Sequence, residues 1–180
     1  MLPSVLLLHP TSARLFLRHN MKIIYTSLSD TLCIVTPVLF DVLQKEMPGL
    51  TLDEYKQHIW SSSVPADAIN PVWVEDSAIP EDGYFRDAWK QNGLKVNVDL
   101  PLARGVHLDQ LRGLRNEKLK AMDVQYMQAL QKKDGSDVVI AQQMQDLRDM
   151  PTIFAEDVAA INNLSTLKDY TPLILLEVKQ

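Results

Sequence analysis

The chain has 180 residues, 46% of them hydrophobic, enough for one domain, or one small domain plus an appendage, around a buried core. A formal net charge of −5 disfavours wholesale binding to nucleic acid or anionic lipid. The single cysteine, Cys33, excludes an internal disulfide and fits a reducing compartment, and its place in the β-rich run TLCIVT predicts a buried thiol rather than a nucleophile.

Residues 1–20, MLPSVLLLHPTSARLFLRHN, put the apolar run before the arginines and break it with Pro3 and Pro10. That is the reverse of a secretory signal, and the run is far too short to span a bilayer. An Arg- and Ser-containing transit peptide is one reading. The preferred one starts the domain at MKIIYT, with residues 1–20 an extension outside the fold. KIIYT and LCIVTP, separated by SLSD, predict a β-hairpin. PVLFDVLQKEMPG predicts a short helix closed by Pro48 and Gly49. In LTLDEYKQHIW, Thr51 and Glu54 have capping-box spacing, and Leu52, Tyr55, Ile59 and Trp60 repeat at helical intervals. SSSVPADAINP reads as loop, and VWVEDSAIP as a short strand.

YFRDAWK, residues 84 to 90, would present Phe85, Ala88 and Trp89 together on one turn of helix. The expected role is a hydrophobic plug seating that turn on the β-layer. If exposed instead, Phe85, Arg86 and Trp89 would form a partner-binding surface. LKVNVDLP alternates as a strand with Leu94, Val96 and Val98 on one face. Asp99 is the expected cap of a long helix, in which Gly105 and Gly113 predict a bend or a start near His107. Its apolar face holds Leu108, Leu111, Leu119, Met122, Tyr126, Ala129 and Leu130. Arg115 falls inside that face and Asp123 on its edge. Gly135 stops the helix, Ser136 caps a second one with Ile140, Met144 and Leu147 inward, and Pro151 ends it. The tail offers a short helix, a turn capped by Ser165 and a final apolar run. The fold class expected is α+β: a small N-terminal antiparallel β-layer with short helices over residues 21–98, then a helical region over 99–180 built on a long antiparallel helix pair.

No chemistry stands out along the chain. There is no Gly-rich phosphate loop, GxSxG or CxxC, and His9, His19, His58 and His107 lack metal-ligand spacing. The expectation is therefore no catalytic residue, no metal and no cofactor. Residues 104 to 120 carry Arg104, Arg112, Arg115, Lys118 and Lys120 against Asp109 and Glu117. A basic helix can dock on phosphate, but no aromatics alternate with these charges. The expected reading is a solvated helix edge with one buried arginine.

From Met21 onward, the succession MKIIYT, IPEDGYFRDAWK, VNVDLPLARGVHLDQLRGLRNEKLKAMDVQYMQAL and LRDMP resembles a family of small proteins encoded in bacteriophage and prophage tail regions. The C-terminal part is similar to the helical segment of phage tail assembly chaperone and tail fibre assembly proteins. There an R-x-x-R-(N/D) stretch leads to L-x-x-x-D, and a second helix ends in LRD-(I/M/L)-P. The matching residues are Arg112, Arg115, Asn116, Leu119, Asp123, Leu147, Arg148, Asp149 and Pro151. The chain departs from that pattern after Asp123, where VQYMQALQKKDGSD runs on as helix in place of an aromatic-bearing segment. The resemblance implies a non-enzymatic protein of the host cytoplasm or virion, acting in tail structure or tail assembly by contact with tail or tail fibre proteins. The alternative is a phage-encoded regulatory or host-directed binder, with the 104 to 120 face as a nucleic-acid surface. A membrane is not an expected partner. A buried arginine is costly unless acceptors meet it, so Arg115, Asp123 and Arg148 are expected to form structural ion pairs, with Asp123 meeting Arg148 across the helix pair.

Overall fold

A computed structural model describes residues 21–176, so the expectation for residues 1–20 lies outside the described residues. The fold is α+β, and the chain divides into two compact units. Among the described residues, the first takes 21–81 together with 89–97. The second takes 82–88 together with 98–176.

In the first unit, strands β1 (Met21–Thr26), β2 (Leu32–Val35) and β3 (Ile69–Glu75) form an antiparallel sheet in the order β2-β1-β3. The predicted hairpin is present: Ile24 faces Ile34 and Tyr25 faces Cys33, with Asp30 left-handed in the turn. Cys33 is only half-buried, because β2 is an edge strand. Successive residues of a strand point to opposite faces. Ile23 and Ile24 are both fully buried, so β1 is covered on both sides. On one side, Ile23 packs with Leu50 and with Tyr55 and Ile59 of α2 (Leu52–Ser63). The capping box of α2 forms as its sequence predicts: Glu54 N–H donates to Thr51 Oγ1 at 3.3 Å and Thr51 N–H to Glu54 Oε2 at 2.9 Å. Trp60 falls off the buried face and is exposed. The short α1 (Phe40–Glu46) lies before it, and Phe40 meets Tyr55 edge-on at 5.3 Å.

The aromatic patch does not form one helical turn. Gly83–Ala88 is a 3-10 segment, and Trp89 opens strand β4 (Trp89–Asn92), which pairs with β5 (Lys95–Val98) around a turn with Gly93 at φ +60°. Leu94, expected in the strand, sits exposed in that turn. Lys90 salt-bridges Asp30, and Gln91 Nε2 donates to the Asn70 carbonyl at 2.7 Å, which fastens the small hairpin to the rim of the sheet.

The second unit is helical. Asp99 accepts from Leu102 N–H at 2.9 Å and caps α3 (Leu100–Lys132), a rod of roughly 50 Å at 1.5 Å per residue. The helix starts at Leu100 rather than near His107 and runs unbroken through Gly105 and Gly113, with Ala103 and His107 buried in its first turns. Lys133 and Gly135 turn left-handed, and the chain returns as α4 (Ser136–Ala160). The two long helices therefore pack antiparallel, with Leu111 and Met122 sharing a core with Met144, Leu147 and Met150. The cap of α4 differs from the expected one. Gly135 holds the cap position, and Ser136 N–H donates to the Asp134 carboxylate at 2.9 Å.

Pro151 does not stop α4. Its ring removes the bond to the Leu147 carbonyl at a cost of about 3 kcal/mol. Beyond it, however, Phe154 and Val158 continue the buried stripe of Met144, Leu147 and Met150. Fully burying two such side chains contributes roughly 1.5–3 kcal/mol each, which offsets the lost bond. Asn163, rather than Ser165, caps the next helix, α5 (Leu164–Asp169), accepting from Ser165 and Thr166 N–H. A single turn, α6 (Leu173–Leu176), follows. No helix among the described residues is long and apolar enough to cross a membrane.

Candidate binding cleft

The second half of α4 and the segment after α5 enclose a cleft of about 410 Å³. Helical spacing explains its α4 wall: Asp146, Asp149, Met150, Phe154 and Asp157 fall at i, i+3, i+4, i+8 and i+11, one stripe of the helix. Met150 and Phe154 are buried at its base, while the three aspartates are exposed along its edge. Tyr170, Pro172 and Ile174 form the facing wall. Each carboxylate accepts from one neutral donor: Asp146 from Gln142 Nε2 at 2.8 Å, Asp149 from Gln145 Nε2 at 3.0 Å, and Asp157 from Tyr170 Oη at 2.7 Å. Burial, and then the bond and charge of Asp157, push the Tyr170 phenol up to about 12.

His107 fixes the Tyr170 wall from behind. It is 1% exposed, with Nε2 at 2.9 Å from the Tyr170 carbonyl and Nδ1 at 3.0 Å from Tyr84 Oη. A carbonyl can only accept, so Nε2 carries the proton and the Tyr84 hydroxyl donates to Nδ1. Burial lowers the imidazole pKa, partly opposed by the Tyr170 bond, so the neutral ring is the one that fits. Tyr84 is in turn flanked by Lys168, 5.3 Å above its ring, and Lys168 pairs with Asp82 at 2.6 Å. That pairing raises the Lys168 pKa and lowers that of Asp82, whose carboxylate also accepts from Tyr84 N–H. Lys118 donates to the Ile174 carbonyl on the same wall.

The residues singled out from sequence lie elsewhere. Phe85 and Ala88 are buried in the helical core, and Trp89 is buried in the other unit as the first residue of β4. Phe85 and Trp89 therefore present no partner-binding face, and only Arg86 of that trio is exposed. The Asp123–Arg148 pair does not form. Both residues are exposed, one position beyond buried Met122 and Leu147 respectively, and that 100° step turns them outward from the seam. Neither has an ion-pair partner among the described residues. Arg115 does occupy the apolar stripe, but it is half-buried and donates to Asn116 Oδ1 at 3.0 and 3.2 Å, reaching neither a carboxylate nor a backbone carbonyl among the described residues.

Much of the basic face of residues 104 to 120 is engaged by acceptors of the chain itself. Arg104 donates to the Ile161 carbonyl at 2.8 Å and to Asn162 Oδ1 at 2.9 Å, and Arg112 pairs with Asp109. The cleft and His107 were missed from sequence. Reading Pro151 as a stop cut the 146–157 stripe in two. His107 lies four residues before Leu111, a position that could have marked it as inward-facing. No family model, curated protein or solved structure matches the chain.

Proposed function

We propose that this is a non-enzymatic phage or prophage protein that acts by protein–protein contact in tail structure or tail assembly, in the host cytoplasm or the virion. The phage assignment rests on the order and motifs of the sequence, from MKIIYT to LRDMP. The contact mode rests on one structural observation: the apolar-floored cleft of α4 continues into an exposed apolar edge. Leu173 is 77% and Leu176 62% exposed, next in the chain to Pro172 and within two residues of Ile174 in the cleft wall. Large apolar side chains held exposed beside a preformed groove are typical of surfaces that another protein covers.

The alternative of a nucleic-acid binder draws on the 104 to 120 face. Four of its five cations, Arg104, Arg112, Arg115 and Lys118, already bond within the chain, which favours the protein-contact reading. The test is affinity purification from phage-producing cells, with purified virions analysed in parallel. A tail or tail fibre protein should co-purify, or the chain should be present in virions. Its absence from virions, with co-purification of nucleic acid alone, would refute the reading.

A further inference from the structure

We infer that the α4 cleft takes a cationic segment of its partner protein, one that sets a lysine or arginine side chain beside an apolar one. This rests on the protein-contact reading above and specifies its chemistry. The volume, about 410 Å³, lies at the low end of the roughly 300–1,000 Å³ of ligand clefts. That suits a few side chains rather than a whole helix laid along it. The floor is apolar, and the rim carries three formal negative charges within three turns of one helix. The Gln142, Gln145 and Tyr170 donors are neutral and do not offset those charges.

No cation within 4.0 Å pairs with Asp146, Asp149 or Asp157 among the described residues. Lys168, on neighbouring α5, is taken by Asp82. Asp146 and Asp149 are moreover like charges at i and i+3, an arrangement that weakens an isolated helix. An incoming ammonium or guanidinium turns that repulsion into attraction. A phosphate-bearing ligand is repelled by the same rim. A purely apolar occupant would fill the floor and leave the carboxylates without use.

The test uses three short synthetic peptides that share their leucine positions and carry lysine, glutamine or glutamate at the polar ones. Each is titrated onto the isotopically labelled full chain and followed by amide chemical shifts. The lysine peptide should move the amides of Asp149, Met150, Phe154 and Asp157 and should weaken as salt rises from about 50 to 300 mM. Asp146→Asn with Asp149→Asn should reduce its affinity about tenfold or more, with the far-ultraviolet circular dichroism unchanged. Asp149→Glu should retain most of it. Equal binding of the lysine and glutamine peptides at the cleft would overturn the cationic preference and leave the protein-contact reading standing. Lysine-peptide shifts confined to other surfaces, or none at all, would overturn the assignment of the cleft. The protein-contact reading itself fails only on the virion and co-purification result.

Discussion

Replacing His107 tests the junction that holds the cleft wall. His107→Leu would keep the volume roughly but strand the Tyr84 hydroxyl and the Tyr170 carbonyl, each now bonded to the ring. A buried polar group left without a partner costs about 1–3 kcal/mol, so the two losses should together destabilise by roughly 2–6 kcal/mol, part of it recovered if water reaches either group. The native chain should also respond to pH. Burial sets the folded imidazole pKa below the unfolded value of about 6.5. The folded state thus binds fewer protons than the unfolded one as pH falls. His107 stabilises fully above about pH 6.5, and this contribution is lost as pH falls through the folded pKa. The other titratable groups around the ring are Tyr84, Tyr170 and Asp157, with the Lys168–Asp82 pair beyond Tyr84. The tyrosine pKa values are raised and that of Asp82 is lowered, so these lie outside the window. Urea unfolding between about pH 7.5 and 5.5 should show falling stability in the native chain and a flatter profile in His107→Leu. An identical pH slope in His107→Leu and the native chain would refute the argument, as would a native stability that rises on acidification.

Pro151→Ala should stabilise by up to about 3 kcal/mol, by restoring the bond to the Leu147 carbonyl inside α4; a loss of stability on denaturant unfolding would show that the ring itself packs. Asp123→Ala and Arg148→Ala should each change stability by about 0.5 kcal/mol or less and should add in the double variant; a coupling above about 1 kcal/mol in the double-mutant cycle would reinstate the ion pair. Trp89→Ala should cost roughly 3–5 kcal/mol as a buried large aromatic, read from the urea midpoint; a neutral result would mean that the side chain is not part of a core.

Local rules were legible wherever a residue's own neighbours decide its conformation. The Thr51–Glu54 box, the SLSD hairpin and the Asp99 cap all follow from contacts within a few residues. Failures came where distant packing overrides a local signal. Pro151 reads as a terminator, yet Phe154 and Val158 hold α4 together beyond it. Gly105 and Gly113 read as weak points, yet Ala103, His107 and Leu111 are buried along the same stretch. Arg115 was correctly placed on the apolar face, but its acceptor turned out to be the adjacent Asn116 rather than a residue across the seam. The cleft was illegible for a related reason. Its facing wall, Tyr170 to Ile174, is brought to α4 by His107 and Lys118, whose bonds span more than fifty positions of sequence.

The interleaving of the two units constrains how the protein can be made and cut. Residues 82–88 complete the helical core, and residues 89–97 belong with the sheet. No single cleavage of the backbone therefore yields both units intact. A fragment beginning at Val98 lacks Tyr84 and Phe85, and one ending at Glu81 lacks the β4–β5 hairpin. During synthesis Phe85 leaves the ribosome well before its core partners Leu111, Phe154 and Leu167. Until they follow, an aromatic side chain destined for the interior stays accessible to solvent and to any chaperone nearby. Swapping either unit between homologous chains would accordingly require three crossover points rather than one.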